Sequence, residues 1–106
     1  MDAMRKVERY KDIIESILGR SLNDSRHRED VAGRMCIAYQ LIQDGYSTIE
    51  AGRQIGRDHA TVLHYRKSME NCKAFPKAYR YECDLWEQFQ SMLNQNENNN
   101  ENEIYG

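Results

Sequence analysis

The sequence predicts an all-α fold, a compact bundle of about five helices, on three observations. Apolar residues recur at spacings of three and four, and no stretch alternates with period two. Short polar residues stand where helices would start, and Gly or Pro where they would stop. The residues from Asn94 to Glu103 carry no apolar side chain, so a disordered acidic, Asn-rich tail is expected over 94–106.

The first helix is expected over Met4 to Leu18, where Val7, Tyr10, Ile14 and Ile17 make one stripe and Gly19 is the stop. Ser21 to His27 is polar except for Leu22 and reads as a loop. A second helix is expected over Arg28 to Asp44. Val31, Met35, Ala38 and Ile42 form its stripe, widened by Ile37 and Leu41, which is the mark of a central helix packed on more than one side. Gly45 ends it. Ser47 and Glu50 have the spacing of a capping box, with each side chain expected to serve the other's amide. A short helix should follow, Thr48 to Gln54. Asp58 suits the N-cap of a fourth helix, His59 to Asn71, with Val62, Tyr65 and Met69 inward. Phe75-Pro76 breaks the chain. Proline fits the first turn of a fifth helix, Pro76 to Leu93, whose stripe is Ala78, Tyr81, Leu85, Phe89 and Met92.

At 106 residues the chain holds one domain, expected over 1–93 with the tail after it. No apolar run approaches the roughly 20 residues that cross a bilayer, and the N-terminus lacks the apolar centre of a signal peptide. A cytoplasmic protein is expected, with no membrane partner. Cys36, Cys72 and Cys83 are odd in number and irregularly spaced, so reduced thiols in helices are expected rather than a metal site or a disulfide. The net charge of −2 is segregated. Residues 1–80 carry all 15 Lys and Arg beside 11 Asp and Glu, and 81–106 carry six acids and no base. A mildly basic body with an acidic tail suits a nucleic-acid binder.

Residues 47–67 give the sharpest motif, two short helices across a Gly turn, a helix-turn-helix. On spacing alone such a pair is as often a packing unit as a DNA reader. The residues of the second helix decide the reading. Gly56-Arg57-Asp58-His59-Ala60-Thr61-Val62-Leu63-His64 resembles the signature of the C-terminal DNA-binding domain of the bacterial chromosomal replication initiator DnaA, a Trp-repressor-like helix-turn-helix family. Upstream, Arg26-x-Arg28, Val31, Arg34 and Tyr39 resemble its basic loop and the helix after it. Ser47-x-x-Glu50, Gly52 and Ile55 resemble its first helix-turn-helix element. The likeness covers roughly residues 7–93 and is densest over 47–70.

The resemblance implies a role for each matching residue. Asp58 and His59 would meet base edges in a major groove, Asp58 accepting from a cytosine amino group and His59 bonding an acceptor or packing against a thymine methyl. Thr61 would bond a base edge or a phosphate, Ala60 would meet a thymine methyl, and Thr48 and Ile49 would touch the groove. Arg26 would enter the adjacent minor groove, where a narrow A·T stretch attracts arginine. Arg28, Arg34, Arg57, Arg66 and Lys67 would bind phosphates and set register. His64 and Trp86 are expected to serve structure.

The chain also departs from the family. Ile55 runs straight into Gly56, one residue short of the usual pair of glycines, and Ala60 replaces a hydroxyl residue. No G-x-x-x-x-G-K-[ST] occurs, so no ATPase and no nucleotide partner is expected. The chain reads either as a complete small protein using the reader alone or as a domain cut from a longer one.

Sequence-specific binding of double-stranded DNA, in replication initiation or its regulation, is therefore the expected function. The bound protein would sit on the nucleoid. The alternatives are a stand-alone transcriptional or mobile-element regulator of the same class, and a protein-interaction module that binds no DNA. No catalytic set, cofactor or metal site is expected, and the oligomeric state is not legible.

Overall fold

Five α-helices follow one another in the computed structural model: α1 Asp2–Leu18, α2 Arg28–Gln43, α3 Thr48–Ile55, α4 His59–Ala74 and α5 Arg80–Tyr105. The structure describes the backbone of residues 2–105 and the side chains of 3–95, and among these residues there is no strand. Of the tail expected to be disordered, residues 94–106, Asn94 and Gln95 are exposed, and the side chains after Gln95 lie outside the described residues.

The wide stripe on α2 does what its width predicts. α2 packs against all four other helices. Ala32, Met35, Cys36, Ile37, Ala38, Tyr39 and Leu41 are all buried along it. Tyr10, Ile13 and Ile14 come from α1, Val62, Tyr65 and Met69 from α4, and Leu85, Phe89 and Leu93 from α5. Phe89 is fully buried at the centre and meets Tyr10 edge-on at 5.6 Å and Trp86 at 5.8 Å. Trp86 also meets Tyr39 at 5.2 Å, so its ring belongs to the core, as its helical spacing implies. Gly19 follows α1 directly, and its amide donates to the Glu15 carbonyl at 2.8 Å.

The start of α5 differs from the expectation. Pro76 does not open the helix. Residues 76–79 form a turn, in which the amides of Ala78 and Tyr79 both donate to the carbonyl of Phe75. The helix begins at Arg80. Ala78 is consequently exposed and drops out of the apolar stripe. Phe75 leaves helical backbone at φ −133°, as a residue before proline tends to, and the chain needs the extra turn to reverse direction.

That reversal also overturns the expectation for two of the cysteines. Cys72 and Cys83 form a disulfide, with Cα atoms 5.6 Å apart. The last turn of α4 and the first of α5 run side by side, so residues 11 apart in sequence become neighbours. No local pattern marks such a pair. Cys36 keeps the expected free thiol. It is fully buried, and burial pushes its pKa up, which leaves it unreactive.

Candidate nucleic-acid interface

The start of α3 is capped by Ser47, whose hydroxyl accepts from the amide of Glu50 at 3.1 Å. The other half of the expected capping box is not made. The Glu50 carboxylate turns along its own helix to Arg53, at 2.6 Å, and Gln54, at 3.4 Å. Those partners lie one turn on, where side chains of one helix meet. α4 is capped by Asp58, which accepts from the amide of Thr61 at 2.8 Å. Thr61, through its side chain and its backbone amide, holds the Asp58 carboxyl below its usual range.

Three residues join the two helices. Gly56 stands in the left-handed region at φ 71°, which an L side chain rarely adopts. The amide of Arg57 then donates to the carbonyl of Gly52 at 2.8 Å. Gly52 has no substitute there, because a Cβ atom would stand 2.5 Å from the Arg57 carbonyl oxygen and 3.2 Å from Val62. This tight crossing sets the starts of α3 and α4 next to each other. Thr48 Oγ1 lies 2.9 Å from His59 Nδ1.

The first turns of α3 and α4 thus share one surface. Asp58, His59 and Ala60 are exposed, Thr48 and Thr61 are half-buried, and Ile49 is 59% exposed. An aliphatic side chain so bare, beside polar helix starts, suits contact with an apolar group such as a thymine methyl. His64, expected to serve structure, is exposed on α4 instead. Arg66 and Lys67 are exposed one turn further along.

The loop between α1 and α2 is far more ordered than its composition suggests. Asp30, fully buried in the first turn of α2, accepts from the Ser25 hydroxyl, from Arg20 at 2.9 Å and from the Asn23 amide at 3.0 Å. Leu22 tucks against Gly33 of α2. Arg26, near the end of this loop, and Arg28, the first residue of α2, are exposed, and Arg28 lies over the Tyr81 ring at 5.6 Å. The loop is also tied to the helix-turn-helix, because Asp24 forms an ion pair with Arg57.

Arg34 is the one expected phosphate contact that the fold withdraws. It is 7% exposed, and its two terminal nitrogens donate to the carbonyls of Asn23, at 3.0 Å, and Ser25, at 2.6 Å. Its charge anchors the loop from beneath, because the carbonyls of a turning backbone need donors and Arg34 lies below them. Arg57 is half-buried and shared, with one nitrogen on the Gly56 carbonyl at 3.0 Å and another on Asp24.

Asp30 is the residue that sequence reasoning missed. Its local signal was an acid in the first turn of a helix, just after a loop rich in Asn, Asp and Ser. The Ser25 hydroxyl, the Arg20 guanidinium and the Asn23 amide hold its carboxyl well below the usual carboxylate range. A depressed folded-state pKa gives stability that is full above the unfolded value, near 3.8, and is lost as pH falls below it. Asp30→Asn is therefore less stable than wild type at pH 7, and the gap narrows from about pH 4 downward. Denaturant titrations at pH 7 and pH 3 check this, and equal stability of the two proteins at pH 7 would contradict it.

Comparison with protein-family models, curated proteins and solved structures finds no match. The functional reading therefore rests on this chain's own geometry. Among the described residues no three of His, Cys, Asp or Glu are grouped where they would hold a metal ion, and no helix is long and apolar enough to cross a membrane. Asp58 and His59 are sequence neighbours, yet Asp58 turns to Thr61 and His59 to Thr48. The surface offers hydrogen-bond donors and acceptors and an exposed aliphatic side chain, with exposed cations further along α4.

Proposed function

We propose that this protein binds double-stranded DNA sequence-specifically, with the first turn of α4 in the major groove, in replication initiation or its regulation. The observation that carries this reading is the joint surface of the α3 and α4 starts. Ile49, Asp58, His59 and Ala60 stand exposed there on a crossing that Gly52 makes rigid. A recognition helix works through its N-terminal residues while the preceding helix crosses the backbone. The replication role comes from the resemblance of residues 56–64 to the initiator signature.

The cations support a division of labour. Arg66 and Lys67 are exposed on α4 and placed for phosphates, and Arg26 and Arg28 leave a loop held firm by Asp30 and Arg34. Arg57 would join them by exchanging Asp24 for a phosphate. A loop fixed before binding loses little entropy when Arg26 enters a narrow minor groove.

Phosphate contacts act on all sequences alike. Arg66→Ala combined with Lys67→Ala should weaken binding to a box duplex and to a scrambled duplex equally. It should also flatten the salt dependence by roughly two units of log–log slope. Fluorescence anisotropy across a salt series reads both quantities. A loss confined to the box would instead make these residues base readers.

A further inference from the structure

The contact between Thr48 and His59 has a chemical consequence of its own. Thr48 Oγ1 lies 2.9 Å from the ring Nδ1, and both residues stand at the first position of their helices. His59 is exposed, and its Nε2 has no partner among the described residues. In a neutral imidazole one nitrogen donates and the other accepts, and the bond made by one fixes the role of the other.

We propose that Thr48 is a positioning residue that sets the tautomer of His59, so that His59 presents Nε2–H as a hydrogen-bond donor to an acceptor on a base edge. In the proposed arrangement the Thr48 hydroxyl donates a hydrogen bond to Nδ1, which carries no proton of its own, and the ring proton stands on Nε2. A donor in a major groove selects purine N7, guanine O6 or thymine O4, and is refused by the amino groups of cytosine and adenine. Without Thr48 the ring could present either a donor or an acceptor, and discrimination at that base pair would fall. Asp58 beside it is an acceptor, so the adjacent residues would read opposite base-edge chemistries.

The base-reading half of this proposal rests on the DNA-binding function above, whereas the tautomer belongs to the free protein. Two measurements keep them apart. Long-range nitrogen–proton NMR of the imidazoles at pH 8, on the free protein, reports which nitrogen of His59 carries the proton. The expected result is a dominant Nε2–H form in wild type, a mixed population in Thr48→Val, and restoration in Thr48→Ser. An Nδ1–H form in wild type, or a tautomer unchanged by Thr48→Val, overturns the proposal.

The second measurement is binding to a panel of duplexes varied one base pair at a time. Thr48→Val should lose roughly three- to tenfold of the preference at one position, the size of a single net hydrogen bond, and Thr48→Ser should recover it. An even loss at all positions overturns the positioning role. If wild type shows no preference among the duplexes, the DNA reading and the base-reading half fall together, and the NMR result still decides the tautomer.

Discussion

Gly52→Ala should destabilise the protein by roughly 2–3 kcal/mol and, on the proposed function, abolish sequence preference for DNA, because it forces α3 and α4 apart. The added methyl would stand 2.5 Å from the Arg57 carbonyl oxygen, a backbone atom that cannot turn aside. The amide of the same residue is bonded to the Gly52 carbonyl, so the clash and the hydrogen bond act on the two peptide groups that flank one Cα. Relief requires the turn to open. That separates Thr48 from His59 and loosens the Val62 contact in the core. Gly45→Ala is the natural control. Gly45 also has positive φ, at 103°, but nothing lies within 4 Å of its would-be Cβ. It should cost only the backbone strain, about 1–2 kcal/mol, with binding preserved. Thermal denaturation and anisotropy on both variants check this. Wild-type stability in Gly52→Ala would mean that the crossing is looser than the structure has it.

His59→Ala is expected to affect recognition strongly and the fold little. The ring stands exposed at the first position of α4, bonded among the described residues to Thr48, and contributes little to the core. Its loss should leave the denaturation midpoint nearly unchanged. The preference for the correct box over a scrambled duplex should fall roughly ten- to a hundredfold, the scale of one good base contact. Affinity for the scrambled duplex depends on Arg66, Lys67 and their neighbours, and should change little. Because Asp58 caps α4 as well as facing solvent, Asp58→Ala would mix a folding effect with a binding one. His59 gives the cleaner reading.

Much of the fold was legible because its signals are local. The stops at Gly19 and Gly45, the caps at Ser47 and Asp58 and the stripes of α1, α2 and α4 each depend on residues within a turn or two. The failures share the opposite character. The pair Cys72–Cys83 depends on how two helices lie beside each other across Phe75-Pro76. The Asp24–Arg57 pair spans 33 residues and has no periodic signature. Arg34 was read by its charge, as an arginine in a basic region, while its burial beneath the loop carbonyls is a property of tertiary packing. Pro76 was placed at a helix start by its preference, and the geometry of the reversal placed it in a turn. The candidate surface itself was readable, because Thr48, Ile49, Asp58, His59 and Ala60 lie at helix starts whose caps were readable. That the two starts meet through Thr48 and His59 was not.

The order of the loop changes what the surface can do. Residues 20–27 would be mobile on composition alone, and Arg26 would search a wide volume. Asp30 and Arg34 instead fasten the loop backbone from below, and Asp24 ties it to the turn before α4. Arg26 and His59 therefore leave from parts of one rigid frame. On the proposed function, a frame of this kind would favour sites in which the two grooves present their features at one spacing, adding specificity beyond that of any single contact.

The measurement that bears most directly on the central claim is binding to an initiator-type box duplex and to a scrambled duplex, across a salt series, for wild type and His59→Ala. The account predicts that wild type prefers the box, that salt weakens both complexes, and that His59→Ala loses the preference while keeping nearly the same salt slope. No binding to either duplex at low salt would contradict it, and would leave the helix-turn-helix as a packing unit.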